Sequence, residues 1–113
     1  MRRVFVTGAG HGIGRAIVEA FVKEGDCVAF CDIDTTRGEE VATATGARFF
    51  ALDVCDKAAL EGCVQRLLEE WGDLDIIVNN VGIGGFEPIT ATTVDHFEMI
   101  LNTNLRSAFI TSR

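Results

Sequence analysis

Short apolar runs alternate along the chain with stretches in which apolar residues recur at every third or fourth position. The runs predict buried strands, because a parallel strand that is covered on both faces carries apolar residues on both. The periodic stretches predict amphipathic helices. The predicted strands are Arg3–Thr7, Cys27–Cys31 ending at Asp32, Arg48–Leu52, and Asp75–Asn79. The predicted helices are Gly12–Glu24, Thr36–Thr45, one capped by Asp56 and ended by Gly72, and a last one from Thr93 to Arg113.

The last two helices have the clearest apolar stripes. The stripe of the third helix consists of Leu60, Cys63, Val64, Leu67, Leu68 and Trp71. The stripe of the last helix consists of Phe97, Ile100, Leu101, Leu105, Ala108 and Phe109. Between the fourth strand and the last helix, the glycine-rich stretch from Gly82 to Thr92 predicts a loop.

The alternation of strands and helices with short connections predicts the fold class. Such a chain forms an α/β structure with a parallel sheet, right-handed crossovers and helices on both faces. Four strands and a trailing helix make up about half of a doubly wound fold. We expect residues 1–113 to form one domain, since no internal boundary or repeat interrupts the pattern.

Composition and charge narrow the range of partners and locations. The net charge of −7 argues against nucleic acid or an anionic membrane as a partner, because both require clustered Lys and Arg. The apolar runs are too short to span a membrane, and the N-terminus lacks a cleavage site, so we expect a cytoplasmic protein. The four cysteines form no C-x-x-C pair, which favours core packing over a metal site or disulfides.

A glycine-rich turn lies between the first strand and the first helix, with the sequence Thr7-Gly8-Ala9-Gly10-His11-Gly12-Ile13-Gly14. Glycines let the backbone approach a pyrophosphate closely, and the N-terminus of the following helix supplies free N–H groups and a positive dipole end. A plain turn is the alternative for such a run in isolation. Its position between a buried strand and an amphipathic helix favours nucleotide binding.

An acidic residue, Asp32, ends the second strand. A carboxylate there can accept hydrogen bonds from both hydroxyls of an adenosine ribose, and it would repel a 2′-phosphate. Asp34 is a competing candidate, and a turn residue is the structural alternative. Because no Arg lies beside Gly12 or directly after Asp32, we predict NAD rather than NADP. Ile33 would then lie against the adenine.

The T-G-x-x-x-G-x-G spacing resembles the cofactor fingerprint of classical short-chain dehydrogenases/reductases. The resemblance implies a Rossmann-type, doubly wound parallel sheet in a three-layer αβα arrangement, truncated here after the fourth strand and the following helix. It covers the whole chain but only the first half of the family's domain. The cofactor-binding residues that the motifs and the resemblance indicate are Gly8, Gly10, His11, Gly12, Ile13, Gly14, Asp32, Ile33, Asp53, Val54, Asn80, Val81 and Gly82.

Three further motifs match the family. Asp53-Val54 follows the third strand, where the family binds the adenine amino group, although a capping or turn aspartate is the alternative. Asn79-Asn80-Val81-Gly82 resembles the family's N-N-A-G segment, with Val81 in place of Ala. Asn104, with Asn102 as its local competitor, matches an Asn whose backbone holds a water of the family's proton relay, and it is our catalytic candidate.

The residues that complete catalysis in the family, a Ser and a Tyr-x-x-x-Lys pair, would follow Arg113. The sequence contains no Tyr, and its lysines, Lys23 and Lys57, lie far from the expected position. The two histidines, His11 and His96, favour surface or capping roles, because neither has a positioned partner.

Three functions remain open at this point. The leading one is an NAD-dependent oxidoreductase that moves hydride between a secondary alcohol or ketone and nicotinamide. The alternatives are a catalytically inactive NAD-binding module and a truncated interaction protein. The fourth strand would form an exposed apolar edge, and in the family the helix beginning near Thr93 contributes to a dimer interface. We therefore expect a homo-oligomer.

Overall fold

The computed structural model describes residues 1–80, 93–95 and 98 of the chain. Its strands are β1 (Arg3–Thr7), β2 (Cys27–Asp32), β3 (Arg48–Ala51) and β4 (Ile76–Val78). Its helices are α1 (Gly12–Lys23), α2 (Thr35–Thr45) and α3 (Lys57–Trp71). Val94, Asp95 and Glu98 are helical, as predicted. The predicted loop and the rest of the last helix lie outside the described residues.

The four strands form one parallel sheet in the order β3-β2-β1-β4. The chain runs outward from β1 to β2 and β3, and then returns to pair β4 with the other side of β1. This reversal is a topological switch point, where the loops after two neighbouring strands diverge and leave a crevice at the carboxyl ends. The crevice lies after β1 and β4.

Helices cover both faces of the sheet, which confirms the predicted three-layer α/β fold. The face under α1 and α2 has a core of Val4, Val6, Ala9, Val18, Val28, Phe30, Val41 and Ala47. The face under α3 has a core of Phe5, Ala29, Cys31, Val54, Leu60, Cys63 and Leu67. Because both faces of β1 and β2 are buried, these strands are apolar at nearly every position.

The observed element boundaries match the predicted ones or differ from them by one residue. Helix α2 begins at Thr35, one residue early, because the Asp34 side chain caps it. Strand β4 is shorter than predicted: Asp75 directs a carboxylate oxygen to the backbone N–H of Arg3, at 2.7 Å, where a strand residue would offer a carbonyl. Strand β3 ends at Ala51, and the next N–H, of Leu52, reaches the Asp32 carbonyl at 3.3 Å.

All four cysteines are free thiols, with Cys31 and Cys63 buried in the core as predicted. Burial raises the pKa of each of these two thiols to about 12, so both stay protonated at neutral pH. In the described part of the chain, no helix has both the length and the apolar character needed to cross a bilayer.

Candidate functional site

The glycine turn after β1 is fastened to the neighbouring strand. The backbone N–H groups of Gly8 and Ala9 both donate to the carbonyl of Cys31, at 2.9 and 3.2 Å. Gly8 and Gly12 have φ angles of +66° and +60°, a region that residues with a Cβ rarely adopt. The turn therefore leaves β1, bends sharply at the two glycines and enters α1 with its backbone exposed.

Two other glycines are required by close contacts. A Cβ on Gly14 would lie 2.6 Å from Asn80 Nδ2 and 2.8 Å from Ala9 Cα, and it would overlap the Gly8 carbonyl oxygen. A Cβ on Gly10 would lie 2.8 Å from Asp32 Oδ2. Gly14 thus lets α1 pack directly on the turn, and Gly10 lets the turn approach the carboxylate at the end of β2.

The N-terminus of α1 differs from those of the other two helices. Asp34 caps α2 by accepting from Arg37 N–H at 3.0 Å, and Asp56 caps α3 by accepting from Ala59 N–H at 3.1 Å. His11, at the corresponding position of α1, makes no capping hydrogen bond with its side chain. The first N–H groups of a helix have no partner within the helix, so this end can accept an anion.

Asp32 lies at the carboxyl end of β2 and is only 6% exposed. Its Oδ2 accepts from Gly10 N–H and its Oδ1 from Asp34 N–H, each at 2.8 Å. A carboxylate has about four acceptor sites, so each oxygen keeps capacity for a further donor such as a hydroxyl. The competing candidate, Asp34, has its side chain engaged in capping α2.

Asp53 and Val54 follow β3 in a turn. Asp53 is exposed; its side chain accepts from Cys55 N–H and its carbonyl from Asp56 N–H, both at 2.9 Å. This is the turn geometry that the sequence left as an alternative to adenine binding. Val54 is 6% exposed and packs into the core under α3, so only its backbone could serve a ligand.

Two large apolar side chains near the turn are exposed to solvent. Ile13, in the first turn of α1, is 75% exposed, and Ile33, directly after β2, is 71% exposed. The exposure of Ile33 leaves it free to lie against a flat apolar ring.

Asn80 joins the end of β4 to the glycine turn. Its backbone N–H donates to Thr7 Oγ1 and its side-chain Nδ2 donates to the Gly8 carbonyl, each at 3.0 Å. Thr7 is 2% exposed and Asn80 is half-buried, so this connection lies partly buried at the switch point. The other predicted residues of this region, Val81, Gly82 and Asn104, lie outside the described residues.

A pocket of about 640 Å³ opens beside the turn, between the N-termini of α1 and α2. It is lined by Gly10, His11, Gly12, Arg15, Asp34, Thr36, Arg37 and Glu40. Arg15 and Arg37 were not among the predicted site residues, because neither lies adjacent in sequence to Gly12 or Asp32. Their positions in the first turns of α1 and α2 could have indicated them, since helical side chains tilt toward the N-terminus.

Together these features suit a ligand that carries both an anion and paired hydroxyls. The uncapped end of α1 can hold the anion, and Asp32 can accept from the hydroxyls, with Gly10 and Gly14 removing the steric barrier between them. Such a combination fits the pyrophosphate and ribose of a dinucleotide.

Comparisons of the sequence and of the structure with known proteins point to the same family. The sequence profile of the short chain dehydrogenases matches residues 2–113. The sorbitol dehydrogenase of Cereibacter sphaeroides is 38% identical over 106 residues, which cover 92% of this chain and 41% of that enzyme.

Solved structures agree. The 3-ketoacyl-(acyl-carrier-protein) reductase of Brucella melitensis, complexed with NADH, superposes with a TM-score of 0.92 at 30% identity, covering 99% of this chain and 47% of that one. A short chain dehydrogenase from Burkholderia cenocepacia in complex with NADP has a TM-score of 0.89 at 33% identity, covering 98% and 48%. The chain thus spans less than half the length of each of these relatives. With the profile matched over almost its entire length, the chain belongs to the short chain dehydrogenase family.

Proposed function

We propose that this chain is the cofactor-binding part of an NAD-dependent oxidoreductase that moves hydride between a secondary alcohol or ketone and nicotinamide. The observation that carries the proposal is the buried Asp32 carboxylate, held 2.8 Å from Gly10 N–H beside the uncapped end of α1. This arrangement places a hydroxyl acceptor next to an anion site, as an adenine dinucleotide requires.

The proposed binding roles follow the order of the chain. The turn and the first residues of α1 hold the pyrophosphate; they are Gly8, Gly10, His11, Gly12, Ile13 and Gly14. Asp32 accepts from the adenosine ribose, and Ile33 covers the adenine. Asp53 and the Val54 backbone bind the adenine edge. Asn80, Val81 and Gly82 pass beside the nicotinamide ribose.

The preference for NAD over NADP rests on charge. Asp32 is ordered by two backbone N–H groups, so it cannot swing away from a ligand without losing both hydrogen bonds. A 2′-phosphate carries a charge of about −2 and would lie against this buried, negatively charged carboxylate, which would repel it. NAD places a neutral hydroxyl there instead.

The bound nicotinamide supplies the hydride acceptor or donor for the reaction. In our proposal Asn104 acts as a positioning residue for a water that relays the proton. The sequence has no Tyr, so the chain itself contains no phenolic acid or base for that proton. An inactive NAD-binding module is therefore the second candidate for the 113-residue chain, and the turn and Asp32 support it equally well.

Calorimetric titration of the chain with NAD and with NADP tests the binding proposal. We expect saturable NAD binding, weaker binding of NADP, and a large loss of NAD affinity in Asp32→Asn. A thermal unfolding scan should show stabilisation of about 2.7 kcal/mol when NAD is present at one hundred times its Kd. Equal binding of both cofactors, or a preference for NADP, would refute the assignment of NAD. An absence of binding would favour the interaction protein.

Turnover separates the enzyme from the inactive module. NAD reduction should be followed with a panel of secondary alcohols that includes sorbitol, for the 113-residue chain and for the product of any reading frame that continues past Arg113. We expect activity from a continued frame that encodes a Ser and a Tyr-x-x-x-Lys pair. NAD binding without turnover in both proteins would support the inactive module.

We also propose a cytoplasmic homo-oligomer. The acidic composition suits a protein in solution. The apolar edge at β4 gives a reason for self-association, because an apolar strand edge can pair with another chain.

A further inference from the structure

The pocket between α1 and α2 continues from the Asp32 carboxylate. The two N–H groups that hold this carboxylate belong to Gly10 and Asp34, and both residues also line the pocket. A ribose hydroxyl bonded to Asp32 would therefore lie at the pocket's edge. Any group carried on that oxygen would enter the pocket.

The pocket is lined by two arginines, Arg15 and Arg37, that could attract a phosphate, but each of them forms an ion pair with a carboxylate. Arg37 Nε lies 3.5 Å from Asp34 Oδ2, and Arg15 Nε lies 2.8 Å from Glu19 Oε1. Glu40 lines the pocket as well. Each of the two guanidinium groups is thus paired with a carboxylate, so neither offers an unpaired positive charge to a phosphate in the pocket.

Asp34 differs from the other carboxylates because it has two roles that can be separated. Its Oδ1 accepts from Arg37 N–H and caps α2, while its Oδ2 faces the Arg37 guanidinium. Asparagine caps a helix as well as aspartate does, so Asp34→Asn removes the charge and keeps the cap. The backbone N–H that holds Asp32 is unchanged.

We propose that Asp34 is a second determinant of cofactor choice, which reinforces Asp32 by neutralising Arg37 in the pocket that a 2′-phosphate would enter. This inference rests on the proposed NAD function. A phosphate monoester carries a charge of about −1.5 to −2 at pH 7, so the Asp34 carboxylate repels it directly. Asp34 also pairs with the Arg37 guanidinium, which is then less able to bind the phosphate. NAD carries only a neutral hydroxyl at the 2′ position, so removal of the Asp34 charge should affect its binding much less than that of NADP.

Calorimetric titration of the 113-residue chain with NADP and NAD tests this. We expect Asp34→Asn to lower the Kd for NADP by about fivefold, the scale of one exposed ion pair, while the Kd for NAD changes less than about twofold. The gain should shrink at high salt, since exposed charges are screened. In Asp34→Asn/Arg37→Gln the gain should disappear, because the freed cation is gone.

Asp56→Asn is the matched control. It removes the same charge from the N-cap of α3 and lies outside the pocket lining, so both Kd values should stay unchanged. The inference is overturned if NAD binds normally but Asp34→Asn leaves the NADP-to-NAD ratio unaltered. It is also overturned if Asp56→Asn produces the same gain, or if the gain survives the loss of Arg37. Failure of the wild-type chain to bind NAD would overturn the proposed function and this inference with it.

Discussion

Glycines in this chain serve different physical purposes that their sequence positions do not reveal. Gly14 and Gly62 both lie in helices, but a Cβ on Gly14 would overlap backbone atoms of the glycine turn, whereas a Cβ on Gly62 would meet nothing within 4 Å. Gly14 is therefore required for the contact between α1 and the turn. Gly62 only adds backbone freedom to α3.

Substitution of these two glycines by alanine should have opposite effects. Gly14→Ala should lower the free energy of unfolding by about 1–3 kcal/mol and weaken NAD binding, because the turn must shift. Gly62→Ala should raise the free energy of unfolding by up to about 1 kcal/mol, since alanine is the better helix former, and it should leave the NAD affinity unchanged. Urea denaturation and calorimetry measure both quantities. A stable Gly14→Ala variant that binds NAD normally would contradict the close contact.

Arg2 and Asp26 form a polar clamp that holds the start of β1 against the turn between α1 and β2. Asp26 accepts from the Arg2 backbone N–H at 3.0 Å and from the Arg2 guanidinium at 2.9 Å. The guanidinium also lies 5.5 Å from the centre of the Phe21 ring. The hydrogen bonds from Arg2 and its charge hold the pKa of Asp26 below its usual value.

The clamp predicts a specific pH dependence. Because the pKa of Asp26 is lower in the folded chain than in the unfolded one, its contribution is present above the unfolded value, near 3.8, and is lost as the pH falls through the folded value. Asp26→Asn should thus lower Tm at pH 7, and the decrease in Tm should become smaller as the pH falls below about 3.8. Glu39→Gln, which removes an exposed carboxylate of α2, is the control. Equal shifts in Tm at every pH would argue against the ion pair.

The described sheet has buried central strands, β1 and β2, and two edge strands, β3 and β4, whose residues are half-buried or exposed. Within residues 1–80, β4 pairs with β1 along one edge, and its three apolar residues, Ile76, Ile77 and Val78, are only half-buried. An apolar strand edge is a site for pairing with another chain.

The purified chain should therefore self-associate. In sedimentation velocity we expect the average mass to rise above the 12.2 kDa of one chain as the concentration increases through the micromolar range. Addition of NAD should change this little, because the dinucleotide is proposed to bind across the carboxyl ends of β1 and β4 and not along the outer edge of β4. A single 12.2 kDa species at all concentrations would show that the edge is covered by the chain itself.

Much of the fold follows from local pattern. Apolar strands alternating with amphipathic helices, each ended by a glycine or begun by an aspartate, predicted the boundaries of every described element to within one residue. Strand ends were less accurate, because Asp75 and Leu52 hydrogen-bond beyond their strands through contacts with residues distant in sequence. Such contacts leave no periodic signal.

The sequence by itself determined the layer architecture, the glycine turn and the acidic residue after β2, because hydrophobic period and turn chemistry are local properties. Only the tertiary structure distinguished Asp32, buried beneath Gly10, from Asp34, which caps α2. It alone brought Arg15 and Arg37 to one pocket and Asn80 to the Gly8 carbonyl. These arrangements depend on which strands become neighbours, and the sheet order places β2 and β4 on opposite sides of β1. This order brings together Gly10 and Asp32, which are 22 residues apart in sequence, and Gly8 and Asn80, which are 72 residues apart.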